Sequence, residues 1–339
     1  MNYDAILLVS FGGPEKNEDV LPFLENVLRG RNVPRERMLA VAEHYYHFGG
    51  KSPINDQNRS LIAALAQELE THEISLPIYW GNRNWHPLLA DTLKQMKADG
   101  IRSALAFVTA SYSSYSSCRQ YRENIEFARE VAGEDAPHVD KIRAYFNHPG
   151  FIDAVVDGVR VAMEEVPAEF RSGVHVCYTA HSIPTAMADS CRYVAQLTEA
   201  GRLVSERLGR TGDPLVFQSR SGPPTQPWLE PDILDHLRTI HAKGAKAVVI
   251  VPIGFVSDHM EIIYDLDTQG RGLSEQLGLK MVRAATVGTH PWFVRMIREL
   301  IEERLVESEH RPALGALGPS RDVCPADCCP APAVPRARA

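Results

Sequence analysis

The sequence predicts an α/β protein of two lobes, each a parallel sheet covered by helices on both faces. Three observations carry that expectation. Short β-rich apolar runs alternate with longer amphipathic stretches, the pattern of strand–helix–strand units. The alternation runs through the chain twice. Finally, 339 residues fill two domains comfortably at roughly 100–200 residues each.

The apolar runs are Ala5-Ile6-Leu7-Leu8-Val9, Pro77-Ile78-Tyr79-Trp80, Ala104-Leu105-Ala106-Phe107-Val108, Val174-His175-Val176-Cys177-Tyr178 and Ala247-Val248-Val249-Ile250-Val251. Near-continuous apolarity of this kind marks strands buried on both faces. Among the intervening segments, 58–69 sets Leu61, Ile62, Leu65 and Leu69 at helical spacing, and 87–96 opens with Pro87 at a first helical position. The first set closes near the turn Tyr145-Phe146-Asn147-His148-Pro149. A second opens with a helix at 151–165 and continues through the strands at 174 and 247, and a last helix covers 291–307. The expected division is an N-terminal lobe at 1–150, a C-terminal lobe at 151–310 whose last helix can pack back on the first lobe, and a tail at 311–339. Rich in Pro, Ala and Cys, that tail is expected to be extended or disordered.

Hydrophobic residues make up 44% of the chain and charged residues 23%, enough to build a core and ordinary for a soluble globular protein. A formal net charge of −7 without a basic stripe argues against a nucleic-acid partner. The start, MNYDAILLVSFGG, holds an apolar run too short for a signal-peptide core. No stretch reaches the ~18–20 apolar residues of a membrane-spanning helix. The expectation is a cytoplasmic protein with no transmembrane segment. Cysteines stand at 118, 177, 191, 324, 328 and 329, three of them crowded near the end, which in a reducing compartment suggests metal over disulfide.

In open parallel sheets ligands sit beyond the carboxyl ends of the strands, so the loops that follow the apolar runs hold the chemistry. His181, in Thr179-Ala180-His181-Ser182-Ile183-Pro184, follows a β-rich run and precedes a proline. An imidazole held there is a base near neutrality and a metal ligand, or else a local cap. The second loop runs Gly254-Phe255-Val256-Ser257-Asp258-His259-Met260-Glu261 and opens a helix on which Glu261 and Asp265 share a face. Stacked carboxylates there could relay a cation or protons, with mutual repulsion raising one pKa. The bland alternative is acidic capping of a helix N-terminus, which accounts best for Asp258. Trp228 sits in a proline-rich loop and is either one wall of a flat apolar slot or a packing anchor. Arg29-Gly30-Arg31 and Tyr45-Tyr46-His47-Phe48-Gly49-Gly50-Lys51-Ser52-Pro53 mix cations and aromatics, suited to a planar ligand bearing carboxylates.

The His181 and Glu261 motifs, about 80 residues apart, together with Gln218-Ser219-Arg220-Ser221-Gly222 and Pro227-Trp228-Leu229, resemble those of the ferrochelatases. The resemblance extends through Ser10 to Pro14, Gly49 to Pro53 and Asn82 to Trp85. It implies two Rossmann-like lobes, each with a four-stranded parallel sheet, enclosing a porphyrin, with no nucleotide cofactor. It implies that His181 and Glu261 are the catalytic pair and handle Fe²⁺, the metal substrate, with Asp265 as a relay. The two are expected to come from separate lobes and to face each other across the macrocycle. By the same transfer Ser52, Tyr121, Tyr45 and Arg29 are porphyrin contacts, and Phe11 and Trp228 line the ring. The resemblance is closest to actinobacterial enzymes that metallate coproporphyrin III to coproheme and pass it to a downstream haem-pathway enzyme. Arg29 and Arg31 suit a substrate with four propionates.

Two positions depart from the family. Some coproporphyrin enzymes carry a tyrosine that ligates product iron where this chain has Phe11, and some relatives extend the acidic ladder to a position that here is Gln269. Several ferrochelatases hold a [2Fe–2S] cluster on one internal and three C-terminal cysteines. Cys118, Cys324, Cys328 and Cys329 match that set, with Cys191 as a rival fourth ligand, and zinc or free thiols as the alternatives. Cys177 reads as core. Rival functions are a protoporphyrin IX ferrochelatase, a chelatase for another metal or tetrapyrrole, and a non-catalytic porphyrin or haem carrier. The carrier would need no base, and the pairing of His181 with Glu261 favours an enzyme.

Overall fold

The computed structural model describes residues 3–30, 33–222 and 225–331. Strands β1 (Ala5–Ser10), β2 (Ile78–Asn82), β3 (Ser103–Val108) and β4 (His138–Lys141) form one parallel sheet in the order β2-β1-β3-β4. A second parallel sheet repeats that order as β6-β5-β7-β8, from β5 (His175–His181), β6 (Leu215–Gln218), β7 (Ala247–Val251) and β8 (Lys280–Arg283). The twofold pattern expected from the sequence is met. In each sheet the chain moves outward one way from the first strand and then the other way, which opens a crevice at the carboxyl ends of the two central strands.

The five long apolar runs become the central strands and β2. Every residue of β1 and of β7 is buried. The expected helices appear as Ile54–Thr71, Leu89–Ala98, Pro149–Glu165 and Pro291–Leu305. Pro149–Glu165 starts with proline at its first position, and the His148 side chain accepts from the Gly150 N–H at 3.2 Å. A Cβ on Gly150 would stand 2.6 Å from the Trp292 carbonyl, so the closeness of this helix to Pro291–Leu305 depends on glycine. Pro291–Leu305 also packs on Ile54–Thr71, beside the first sheet. One core runs from Tyr3 and Ile6 through Phe107 and Phe151 to Val249 and Phe293, so both sheets share it.

The tail carries no helix or strand over 311–331, so of the two expected forms it takes the extended one, docked instead of loose. Residues 311–331 are tied down, because backbone groups there find partners on the body of the protein. Arg143 donates to the Pro312 carbonyl at 2.9 Å, and the Asn147 amide donates to the Leu314 and Gly318 carbonyls at 2.9 and 3.0 Å. The Leu314 N–H returns a bond to the Asn147 carbonyl at 2.8 Å. Composition predicts disorder from a lack of apolar surface, but it misses polar anchors supplied by a distant element.

Arg143 is the centre of this docking. Its side chain is 1% exposed and its fork grips Glu303, 7% exposed, with Nε to Oε2 at 2.9 Å and Nη2 to Oε1 at 2.7 Å. Two desolvated charges are stable only as a pair. Glu303→Gln should therefore lower unfolding free energy by about 3–5 kcal/mol, whereas Arg143→Met with Glu303→Leu should cost far less. Urea denaturation of both variants checks this, and equal losses would mean that the pair carries no special weight.

Candidate active site

His181 is the last residue of β5, and the turn that follows is strapped on three sides. The Ser182 N–H donates to the Gln218 carbonyl at 2.7 Å and its hydroxyl to the Leu229 carbonyl at 2.9 Å. Pro184 pairs with Trp228, and Leu229 N–H donates to the Ile183 carbonyl at 3.0 Å. The Tyr193 hydroxyl donates to the His181 carbonyl at 3.0 Å. Backbone held this firmly fixes where the imidazole stands. Its Nδ1 is shielded from solvent without a well-aligned hydrogen bond among the described residues, and Glu261 Oε2 lies 3.4 Å away.

Glu261 reaches that point because the chain leaving β7 crosses directly over β5. The Gly254 N–H donates to the Thr179 carbonyl at 3.0 Å, and a Cβ on Gly254 would fall 2.6 Å from the Ala180 Cβ. Only glycine fits there. The short helix Met260–Ile262 is capped by His259, whose Nδ1 accepts from the Glu261 N–H at 3.2 Å. The capping role expected for Asp258 is therefore taken by its neighbour, because Asp258 is committed to Arg283. From the second sheet's edge the Gln218 amide donates to the Glu261 carbonyl at 3.0 Å. The Glu261 side chain remains 46% exposed, open to a substrate.

Asp265 follows on a π-helical turn, Ile263–Gly270, a geometry that concentrates at functional sites. Burial pushes its carboxyl up to about 7, with the Glu261 charge adding to the rise and the Ser219 hydroxyl, which donates to Oδ2, opposing it. Ser219 itself holds a left-handed backbone at φ 63°, strain of the kind that persists where neighbours over-determine it.

One expectation is overturned. His181 and Glu261 do not come from separate lobes, since His181 ends β5 and Glu261 sits on the short helix that follows β7, the neighbouring strand of the same sheet. At 3.4 Å they also leave no room for a macrocycle between them, so a bound ring has both on one side.

The residues expected around the ring are spread over the first half of the chain. Phe11, after β1, is 37% exposed and meets Phe23 edge-on at 6.2 Å; Tyr45 meets Phe23 at 5.8 Å. Burial and the Glu261 charge both raise the Tyr45 phenol, which places the helix Arg35–His47 within electrostatic reach of the second sheet's site. Tyr121 is 4% exposed beneath the Arg83 guanidinium, 4.5 Å from its ring centre. Ser52 is 2% exposed and packed against Gly13, away from open surface. Arg29 is exposed at a helix end, its Nη2 bonded to Asn26 at 2.6 Å. Trp228 is half-buried against Gly222 and Pro184. Arg31 lies outside the described residues.

Two contacts escaped sequence reasoning. Arg83 spans the rings of Phe11 and Tyr121, and His44 stacks on Tyr264 with centroids 3.6 Å apart, bridging the two halves. The aromatic residues gave a signal, but the pairings are long-range and carry no local pattern.

The cysteines form two pairs that the docked tail brings together. Cys324 stands beside Cys118, and that neighbouring thiol, with Lys141 and Arg122 close by, lowers the Cys118 thiol against the opposing effect of burial. Cys328 and Cys329 have sulfurs 3.6 Å apart, and Cys329 feels the charge of Cys118. Cys191 donates to the Met187 carbonyl at 3.1 Å, and Cys177 is fully buried in β5 as expected. Among the described residues, no three His, Cys, Asp or Glu side chains converge as a metal site. No helix among them is long and apolar enough to cross a membrane.

Asp265 supplies a pH signature. Its folded pKa of about 7 lies above the ordinary 3.8, so the native state retains a proton that the unfolded chain releases. Its contribution is complete below about 4 and is lost as pH rises through 7. Asp265→Asn should remove that loss, so its stability relative to the wild type should climb between pH 4 and 7 and then level off. Parallel stability curves from urea titrations across that range would contradict the assignment.

A family model described as Ferrochelatase matches residues 3–305. The chain is 60% identical over 328 residues to a protein of Rhodopirellula baltica named Ferrochelatase, spanning 96% of this chain and 93% of that one. It is 51% identical to the Coproporphyrin III ferrochelatase of Streptomyces coelicolor, across 97% and 94% of the two chains. Among solved structures, SirB from Bacillus subtilis with Fe³⁺ superposes with a TM-score of 0.55 at 13% identity, over 92% of this chain and all but 1% of that one, covering 99%. At that identity the likeness speaks for the chelatase fold alone. With the family model running from the first strand to the last helix, the chain belongs to the ferrochelatase family, metal chelatases of haem biosynthesis.

Proposed function

We propose that this protein inserts Fe²⁺ into coproporphyrin III to give coproheme, with His181 and Glu261 working on one face of the bound ring. The observation that carries the reading is the imidazole Nδ1 standing 3.4 Å from the Glu261 carboxylate with no well-aligned hydrogen bond of its own among the described residues. Relatives at about half identity named for coproporphyrin III support the choice of substrate.

Metallation replaces two pyrrole N–H protons by one Fe²⁺. His181 accepts a pyrrole proton as general base, and the adjacent Glu261 carboxylate meets the imidazolium that forms. Asp265, its carboxyl raised by burial into the neutral range, then takes protons onward from the half-exposed Glu261, or in the opposite sense passes the hydrated cation inward. The phenyl ring of Phe11 has no donor atom, so the residue after β1 offers a flat apolar contact and no axial ligand. Tyr45, Tyr121, Ser52, Arg29 and Trp228 are the proposed porphyrin contacts. Of these, Ser52 and Tyr121 need a shift of Arg83 or the Gly13 turn to reach the ring. A downstream haem-pathway enzyme would receive the coproheme.

His181→Ala should abolish iron insertion while leaving porphyrin binding, read by fluorescence, largely intact; unchanged turnover would reject the role. Anaerobic Fe²⁺ insertion compared under matched conditions should give a higher kcat/KM with coproporphyrin III than with protoporphyrin IX, and the reverse order would move the assignment to the second substrate.

We further propose that Cys118, Cys324, Cys328 and Cys329 hold a [2Fe–2S] cluster. The donor set is four thiols in two close pairs, and the surroundings suit an anionic group. Arg122 Nε is buried without a hydrogen-bond partner among the described residues, Lys141 stands beside Cys118, and Arg119 donates to the Ala326 and Cys328 carbonyls. When bound, such a cluster supplies a one-electron redox centre and ties the tail to the body. Protein purified without oxygen should be coloured, with iron and sulfide in equal amounts; a colourless sample lacking both would refute the cluster.

A further inference from the structure

Four carboxylates crowd the ten residues from Asp258 to Asp267: Asp258, Glu261, Asp265 and Asp267. Left alone, like charges at such density repel and splay the segment. The structure sorts them into two kinds. The outer pair, Asp258 and Asp267, is consumed by a single guanidinium, that of Arg283 at the end of β8. Its Nε and Nη2 grip Asp267 at 2.7 and 3.0 Å, and Nη1 and Nη2 reach the two oxygens of Asp258 at 3.2 and 3.3 Å. Asp258 also accepts from the Thr286 hydroxyl at 3.1 Å, and its N–H donates to the Gln57 side chain at 2.7 Å. Arg271 stands 3.9 Å from Asp267 as a weaker second cation. The inner pair, Glu261 and Asp265, has no Arg or Lys ion-pair partner among the described residues; Glu261 faces His181.

We propose that Arg283 is a positioning residue for iron insertion, clamping both ends of the Asp258–Asp267 segment so that Glu261 and Asp265 are presented to His181. The proposal rests on the role given above to Glu261. Between Asp258 and Asp267 the backbone passes from a three-residue α-turn into a π-turn, a geometry found mostly at functional sites. A fork that binds two carboxylates at once adds a constraint on both flanks to the local bonds from Gln218, His259 and Ser219, and it is a fork that lysine cannot reproduce. Arg283 is 14% exposed, so these bonds are little weakened by water. It touches neither His181 nor Glu261 and acts only through the segment.

The test compares Arg283→Met, Arg283→Lys and Asp258→Asn/Asp267→Asn with the full-length wild type, reading kcat, KM for Fe²⁺ and porphyrin affinity separately. Arg283→Met should lower kcat by about 10–100-fold, the usual cost of losing a partner that orients a reacting group, with porphyrin affinity changed less than about twofold. Arg283→Lys, which keeps the charge and folds most readily, should restore only part of kcat. Combining Arg283→Met with the double Asn variant should cost no more than the worse of the two. The proposal is overturned if folded Arg283→Lys and Arg283→Met retain wild-type kcat, or if kcat and porphyrin affinity fall together in proportion to lost stability. Glu261→Gln run alongside separates the two readings. If it is active, the role of Glu261 fails; if it is inactive while Arg283→Met is normal, only the clamp fails.

Discussion

The parallel pairing of β5 with β7 is the constraint on which the rest depends. Its register sets His175 against Val248 and Tyr178 against Val251, so β7 stops opposite Tyr178 while β5 runs on to His181, and the chain leaving β7 turns back over that protruding end. His181 closes one and the loop to Glu261 leaves the other. Because the sheet order reverses between these strands, their ends diverge toward different neighbours and leave a gap that side chains can fill. A one-residue slip would turn His181 to the opposite face of the sheet. The buried apolar run of β7 and the approach of Gly254 to Ala180 make such a slip costly.

What surrounds this pair is largely a means of holding it. Backbone bonds from the Trp228 loop fix the His181 turn, Gln218 and His259 fix the backbone of Glu261, and Arg283 takes the flanking carboxylates. Helices of the first half of the chain contribute from across the molecule through Tyr45, whose phenol feels the Glu261 charge, through Gln57 on Asp258, and through His44 stacked on Tyr264. A ring seated over His181 and Glu261 would thus be lined by the first half of the chain on its other edges. Asymmetry of this kind, with chemistry beside the second sheet and contacts from helices of the first half, suits a reaction in which protons leave and metal enters on a flat substrate.

Much of the fold was legible because buried parallel strands advertise themselves as unbroken apolar runs. The strands that were missed are β4, β6 and β8, of four residues each, with sequences HVDK, LVFQ and KMVR. All three are too short to stand out from loop, and β4 and β8 are also at least half polar. The turn carrying His181 and the loop carrying Glu261 were readable from residue type and place after a strand. Their origin in the same sheet was not, because sequence distance says nothing about strand order. The docked tail was hidden for a different reason, since its anchors, Arg143 and Asn147, lie more than a hundred residues earlier and look like ordinary polar residues of a turn. Arg283 was equally silent, a single basic residue at the end of an unrecognised strand.

If the imidazole and carboxylate act as one unit on a shared face of the ring, their removal is not independent. A double-mutant cycle on kcat for anaerobic metallation, with His181→Ala, Glu261→Gln and the combination, measures that directly. The account predicts that the double variant is no slower than the slower single one. Losses that multiply would contradict it and would mean that the two groups serve separate steps.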